Sequence, residues 1–328
     1  MDVEVLRKIL SMFELDARRI LPVQKGYRNQ SYAIKLSNDE LANLILYKIE
    51  PNILTTIANA NAVSNFLADK GMSVRQTLDS RIVCLSTDKT KRYGALYNYL
   101  PGQTIPWEAY TMRHIKLLGK TMSDMHALLA KFEGDLTEIA FDSLALNHRM
   151  QTYFTDPNVM GALWAKLNLK IRHTNFQPLL HICQKLPDQQ ALHMDFVRGN
   201  VLFETVDNGL TISGILDFEK TGRGHVVFDI ARTLAFLLVD CKYKDETKVR
   251  KYFLQSGYSK RGASPYATLV VKQHDLLEDL LDFFLVHDFY KFLRHNPYEF
   301  LPQNEHFIRT RDLLLRRHIL EWDETMER

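Results

Sequence analysis

Apolar positions near the start of the chain switch from helical to strand spacing. Residues 2–15 carry apolar side chains at helical intervals, which predicts an amphipathic helix. Three strand candidates follow, at 19–25, 31–36 and 43–49. Turn-forming residues around Gly26, and again in "SNDE", separate these strands. The pattern therefore predicts an antiparallel meander.

A helix is predicted over 53–69, after Pro51 and before Gly71. Two further strands, about 81–86 and 93–99, complete a small β-rich lobe.

The clearest interruption of the pattern is "YLPGQTIP" at 99–106, which contains two prolines and a glycine. It predicts two domains, an N-terminal lobe over 1–100 and a C-terminal lobe over 101–328.

Beyond this boundary the apolar spacing is mostly helical. Helices are predicted at 108–131, 145–154, 160–170, 176–184, 229–240, 266–295 and 305–325. A β-hairpin interrupts them, with 200–204 pairing to 210–216 across "DNG". The expected fold class is α+β. It has a five-stranded antiparallel sheet with one helix in the small lobe, and a larger, mainly helical lobe that carries the hairpin.

Composition narrows the class of protein. Apolar residues make up 46% and charged residues 25% of the 328 residues, as in soluble globular proteins. A net charge of +3 gives no reason to expect a nucleic-acid or membrane partner. Three widely spaced cysteines and the lack of an apolar leader favour a reducing cytoplasm.

Candidate chemistry is concentrated in "LHMDFVRGNVLFE" and in "ILDFEK", on the two arms of the predicted hairpin. Asp195 and Asn200 lie five residues apart, and Asp217 ends the second arm. Because the open ends of paired strands meet, we expect Asn200 and Asp217 to be neighbours. Oxygen ligands of this kind suit Mg²⁺. A further carboxylate that orients a hydroxyl would complete the residue types of phosphoryl transfer.

These two motifs resemble the aminoglycoside phosphotransferase and choline-kinase-like family, small-molecule kinases with a protein-kinase-like fold. "YLPGQTI" and "LLGKTMSDMHALL" are also similar to that family's hinge and the helix after it. The resemblance implies that Asp195 is the catalytic base or orients the acceptor hydroxyl, and that Asn200 and Asp217 bind Mg²⁺. It also implies that Asp229 supports the backbone of the catalytic loop and that His193 is structural.

The same resemblance calls for a phosphate-binding lysine on the third strand. Strand order favours Lys48 over Lys35 in "YAIK". The turn "KGYRNQS" has one glycine, so Asn29 and Ser31 are candidate phosphate contacts, with a plain hairpin turn as the alternative. At the hinge, Asn98 and Leu100 are expected to contact the nucleotide.

One departure from the kinase pattern is clear. Kinases pair the strand lysine with a helix glutamate, yet residues 51–68 contain no acidic residue. Asn59 and Asn61 lie where that partner is wanted, and an amide there can accept a hydrogen bond from Lys48. What replaces the glutamate stays open at this stage.

Three further polar residues have two readings each. Arg198 touches the transferred phosphoryl group or an anionic substrate, or is a solvated loop residue. Glu219 joins the outer shell of the metal, or pairs with Lys220. Asp288, in apolar surroundings, needs a partner such as His287, Lys291 or a ligand.

The helix that contains Asp288 also carries an acidic stripe. Its members are Asp275, Glu278, Asp279 and Asp282. The stripe is either a solvated face or an amine-binding wall.

The predicted function is ATP- and Mg²⁺-dependent transfer of the γ-phosphate to a hydroxyl of a small molecule. Amino alcohols, sugars, amino acids and aminoglycoside-like compounds are candidate acceptors. The alternative is a kinase-like module that binds nucleotide or a partner with little or no catalysis. The sequence leaves the acceptor, the choice of ATP or GTP and the oligomeric state open.

Overall fold

The computed structural model describes residues 3–22, 24–25, 29–86, 91–106, 109–207, 209–241, 243–259 and 274–322. The chain divides into two compact units, each formed from two segments. The first unit joins Met1–Thr104 with Asn200–Lys220, and the second joins Ile105–Gly199 with Thr221–Arg328.

An antiparallel sheet forms the centre of the first unit. Its strands are β1 (Ala17–Ile20), β2 (Gln24–Lys25), β3 (Gln30–Leu36), β4 (Leu41–Lys48), β5 (Val83–Ser86) and β6 (Lys91–Asn98). The order is β1-β3-β4-β6-β5, and β2 is a two-residue pairing on β3. The five-stranded antiparallel sheet is therefore confirmed, and so are its helices α1 (Val3–Met12) and α2 (Ile53–Asp69).

Alternation along β4 gives the sheet two buried faces. Leu44 and Leu46 pack in one cluster with residues of α1, and Tyr47 packs in another with Ile57 of α2. Successive side chains of a strand point to opposite faces, and both faces of β4 are covered. The sequence of β4 is therefore apolar at nearly every position. A central strand covered on both sides needs that pattern.

The hairpin consists of β9 (Val201–Val206) and β10 (Gly209–Ile215). The sequence placed it in the helical lobe, but it belongs to the first unit. The reason is its backbone bonding. Phe203 exchanges two hydrogen bonds with Gln103, at 2.9 and 3.0 Å, and Ile215 accepts one from Arg75 at 3.0 Å.

The second unit is mainly helical, as predicted. Its helices are α3 (Met112–Leu129), α4 (Ile139–Phe154), α5 (Pro157–Leu167), α6 (Gln177–Gln184), α7 (Val227–Asp240), α8 (Glu246–Arg250), α9 (His274–His295) and α10 (Glu305–Arg316). A π-helical segment, Lys251–Tyr258, continues α8. The predicted helix over 266–295 is confirmed from His274 onward, and its earlier part lies outside the described residues.

Four short strands in the second unit were not predicted. They are β7 (Leu169–Ile171), β8 (Gln190–Leu192), β11 (Gly222–Gly224) and β12 (Leu320–Trp322), and they form the pairs β7–β12 and β8–β11. The predicted helix 305–325 was wrong at its end, because the helix ends at Arg316 and the chain then forms β12. A strand of three residues, such as β12, is too short to show the alternating pattern from which a strand is predicted. Within the described residues, no helix is both long and apolar enough to cross a bilayer.

Candidate active site

The open end of the hairpin brings Asn200 and Asp217 together, as the sequence predicted. Ile215 pairs with Val201 in the strand register, and the next amide, of Leu216, donates to the carbonyl of Asn200 at 2.8 Å. Asp217 follows immediately with φ of 59°. Asp tolerates this left-handed conformation better than most residues, and it turns the chain out of the strand.

Glu219 lies beside Asp217 and is held by a buried arginine. Arg75 Nη1 donates to Glu219 Oε1 at 2.7 Å, with the two side chains only 3% and 14% exposed. Burial alone would raise the pKa of Glu219, but Arg75 and a contact with the Asp217 side chain bring that pKa down to about 2. Of the two readings of Glu219, the ion pair exists, but it is made with Arg75 and not with Lys220.

The chemistry of these side chains fits a hard cation. The carboxylates of Asp217 and Glu219 are neighbours, and Glu219 Oε2 is buried without a hydrogen-bond donor within the described residues. Asn200 adds the neutral oxygen of a carboxamide as a further candidate ligand. Among the residues that the structure describes, no three or more His, Cys, Asp or Glu side chains are grouped so that they could hold a metal ion. A site with few protein ligands is what Mg²⁺ accepts, because it keeps several waters.

In the second unit, Asp229 supports the loop that contains Asp195. It is buried on the first turn of α7 and accepts from the backbone amides of His193 and Met194, both at 2.9 Å. His126 Nε2 lies 3.1 Å from the same carboxylate. Burial would raise the pKa of Asp229, but bonds and charge from His126 and His193 lower it overall. Asp229 is thus a buried carboxylate bonded to the loop backbone.

His193 is part of this support. Its ring is buried, and its Nδ1 accepts from the backbone amide of Asp195 at 3.1 Å. Between them, Met194 is buried with φ of 59°, a conformation that long side chains seldom adopt. The loop is held in a strained shape by its neighbours.

Asp195 has a partner that the sequence did not indicate. Arg232 Nη2 lies 3.1 Å from Asp195 Oδ1, and the two side chains are 8% and 9% exposed. A carboxylate buried to this degree needs a compensating charge, and the guanidinium of Arg232 supplies it.

Lys48 lies at the exposed end of β4. Strand alternation puts it on the face of Leu44 and Leu46, opposite the face that packs on α2. Its backbone amide donates to Asn29 Oδ1 at 3.4 Å. Lys35 forms an exposed ion pair with Asp39 at 2.8 Å, as expected of a surface lysine.

An uncharged hydrogen-bonded chain links β4 to α2. The hydroxyls of Tyr47 and Tyr97 are 2.8 Å apart, and Tyr97 donates to Asn61 Oδ1 at 2.9 Å. Burial raises the pKa of both tyrosines, so both stay neutral. Tyr97 is thus a donor to the amide oxygen of Asn61 that the sequence offered to Lys48. Arg75 brings a charge to the Tyr47 end of this series, with its Nη1 3.3 Å from the Tyr47 hydroxyl.

Three other residues that were predicted to contact the nucleotide contact other residues of the protein in this structure. Ser31 Oγ donates to Asn43 Oδ1 at 2.6 Å, which ties β3 to β4. Asn98 Oδ1 accepts from the Gln76 amide at 2.8 Å. Leu100 lies against Gly214 of the hairpin. The turn around Gly26 lies outside the described residues, so the phosphate-binding turn stays a prediction.

The structure gives Arg198 a position. Its Nε lies 3.4 Å from Asp240 Oδ2, at the end of α7. Asp240 also faces His306, whose Nε2 is 3.0 Å from Asp288 Oδ2. Asp288 thus finds its partners in His306 and in Thr310, which donates to it at 3.1 Å, rather than in the neighbours that the sequence suggested.

Part of the acidic stripe is used in ion pairs. Glu278 bonds Arg250 and Arg317, and Asp282 also bonds Arg317. These two carboxylates therefore stabilise the helical unit, which weakens the reading of the stripe as an amine-binding wall.

Two functional candidates were missed by the sequence reasoning, Arg75 and Arg232. The available signal for Arg232 was an arginine within the apolar run "DIARTLAFLL", where a charge needs a buried partner. Nothing local marks Arg75, whose partner is 144 residues away.

A hairpin that ends at Asn200 and Asp217, and a loop held by Asp229, are the features expected of a phosphotransferase. The sequence model of the phosphotransferase enzyme family matches residues 19–256, so the chain belongs to that family. A search of curated protein sequences finds no match.

Solved structures with the same fold include small-molecule kinases. An amicoumacin kinase in complex with AMP-PNP, Ca²⁺ and Ami is 15% identical, with a TM-score of 0.70 over 97% of this chain and 94% of that chain. A microcompartment-associated aminopropanol kinase is 14% identical, with a TM-score of 0.63 over 97% of both chains. An aminoglycoside phosphotransferase with ADP and hygromycin B is 12% identical, with a TM-score of 0.55 over 93% and 97%. At these identities the likeness concerns the fold.

Proposed function

We propose that this protein uses ATP and Mg²⁺ to phosphorylate a hydroxyl group of a small molecule. The observation that carries the proposal is the backbone hydrogen bond from Leu216 to Asn200, which brings Asn200 next to the residue that precedes Asp217. Family membership supplies the reaction class. When bound, Mg²⁺ neutralises charge that develops on the phosphate oxygens.

Each residue has one task in this scheme. Asn200 and Asp217 hold the metal, and Glu219 supports it from the side of Arg75. Asp195 orients the acceptor hydroxyl. Asp229 and His193 keep the loop of Asp195 in place through its backbone amides. Lys48 remains a candidate contact to the nucleotide phosphates.

The acceptor most worth testing bears both an amine and a hydroxyl. Aminopropanol kinase and aminoglycoside phosphotransferases are among the proteins that share the fold, and the compounds in their names have both groups. A screen of purified protein with Mg-ATP against amino alcohols, aminoglycosides, sugars and amino acids, read as ADP release, identifies the acceptor.

Replacing Asp195 with Ala then tests the assignment. Removal of a positioned acid–base group typically lowers the rate by about 10²–10⁴-fold. We expect that loss in kcat, while the affinity for ATP measured by calorimetry stays close to that of the wild type. Turnover at the wild-type rate in the variant would rule out Asp195.

A nucleotide-binding module without catalysis is the second candidate. It is favoured by the neutral chain from Tyr47 to Asn61, which stands where kinases have a charged pair between strand and helix. Calorimetry with ATP separates the two functions. Binding that strengthens with Mg²⁺ supports the kinase, and nucleotide binding indifferent to metal, without ADP release, supports the module.

A further inference from the structure

Three residues near the start of α7 bind the Asp195 loop in order. Asp229 accepts from the amides of His193 and Met194, Arg232 bonds the Asp195 side chain, and Thr233 Oγ1 donates to the Phe196 carbonyl at 3.0 Å. Residues three and four apart on a helix share a face, so all three point at the loop. One helix therefore contacts four successive loop residues.

Arg232 differs from the other two because it touches the functional side chain of the loop. Its Nη2 is 3.1 Å from Asp195 Oδ1. The rings of Phe236 and Phe284 lie 5.8 and 5.7 Å from its guanidinium carbon. Within the described residues its Nε is buried without a partner. The aromatic rings and the Asp195 carboxylate together leave the guanidinium little freedom to move.

We propose that Arg232 is a positioning residue for phosphoryl transfer, and that it sets the orientation of the Asp195 carboxylate. This inference rests on the proposed function. A bond to one oxygen restricts the rotation of the carboxylate, so the other oxygen keeps a preferred direction.

A purely structural arginine would act differently on the kinetics. Loss of folded protein lowers the amount of active enzyme and leaves kcat per folded molecule and both KM values unchanged. A misplaced Asp195 lowers kcat itself, because small displacements of a reacting group cost about 10²-fold.

The experiment compares Arg232→Gln and Arg232→Lys with a matched control, Arg250→Gln. Arg250 is a more exposed arginine of the second unit, and it is bonded to Glu278 on α9. Steady-state kinetics with the acceptor found in the screen give kcat and KM, and circular dichroism gives the folded fraction.

For Arg232→Gln we expect kcat per folded molecule to fall about 10²-fold with KM for ATP nearly unchanged. Arg232→Lys keeps the charge and should recover part of that loss, and Arg250→Gln should retain wild-type kcat. An unchanged kcat in Arg232→Gln, or a parallel loss of ATP affinity, would overturn the proposal.

A crystal structure of Arg232→Gln provides a readout that needs no activity. The Asp195 side chain should leave its wild-type rotamer or become mobile. An Asp195 carboxylate that stays in place in this variant contradicts the positioning role even if the wild type phosphorylates its acceptor. Conversely, a wild type that transfers no phosphate defeats the proposed function, whereas the Asp195 rotamer still decides what Arg232 does.

Discussion

At the scale of single residues, the buried ion pair of Arg75 and Glu219 is the most informative feature. Arg75 and Glu219 form an ion pair inside the first unit, with Arg75 stacked 4.4 Å from the centre of the Tyr97 ring. Removing one partner of a buried pair leaves the other charge uncompensated, which costs more than the pair itself contributes. Such pairs are therefore sensitive to single substitutions and tolerant of double ones.

This asymmetry gives a prediction for Arg75. The free energy of unfolding of Arg75→Met should fall by about 3–5 kcal/mol, because Glu219 remains buried without its cation. Combining it with Glu219→Gln should restore part of the loss. Urea denaturation measures both. Arg81→Met is the control, since the Arg81 pair with Asp79 is 46% exposed on the arginine side and its loss should change stability little. A double variant as unstable as the single one would contradict the argument.

Backbone conformation controls how the elements join, most clearly at the hinge before α3. Gly102 has φ of 102°, and a Cβ built there would lie 2.1 Å from Ser213 Oγ and 2.9 Å from the Phe203 carbonyl oxygen. The hinge can thus lie close to the hairpin only because this residue lacks a side chain.

Gly102→Ala should therefore destabilise the protein, by roughly 1–3 kcal/mol for the strained backbone alone. Gly161, in the middle of α5, has open space around its Cβ position and ordinary φ. Gly161→Ala should stabilise by about 0.5–1 kcal/mol, as expected for a helix interior. Urea denaturation of the two variants compares them directly. Equal effects of the same sign would show that the hinge is not constrained.

The elements differ in how far the sequence could predict them. β3, β4 and α2 are long enough to show their period, and their predicted bounds agree with the structure within a few residues. The three-residue strands β7 and β12 depend on each other across the chain, so no local pattern marks them. The same holds for the site. The adjacency of Asn200 and Asp217 follows from a hairpin, whereas the pairing of Arg232 with Asp195 depends on how α7 packs.

At the scale of the whole molecule, the proposed function predicts that nucleotide and metal stabilise the fold together. A ligand that binds only the native state adds about 2.7 kcal/mol at a concentration one hundred times its Kd. We expect AMP-PNP with Mg²⁺ to raise Tm in a thermal shift assay, and chelation of the metal to remove most of that rise. Each residue that binds the metal should contribute to the part of the rise in Tm that depends on Mg²⁺.

Asp217→Asn tests that dependence against Asp39→Asn, a matched control. Both positions have left-handed backbone, with φ of 59° and 65°, and Asn tolerates this conformation as Asp does. Asp39 is an exposed surface residue of the same unit, bonded to Arg18 and Lys35. Asp217→Asn should lose the Mg²⁺-dependent rise in Tm and keep any metal-free rise, whereas Asp39→Asn should respond as the wild type does. A full Mg²⁺-dependent shift in Asp217→Asn would show that the metal binds elsewhere, and the assignment of Asp217 would then be wrong.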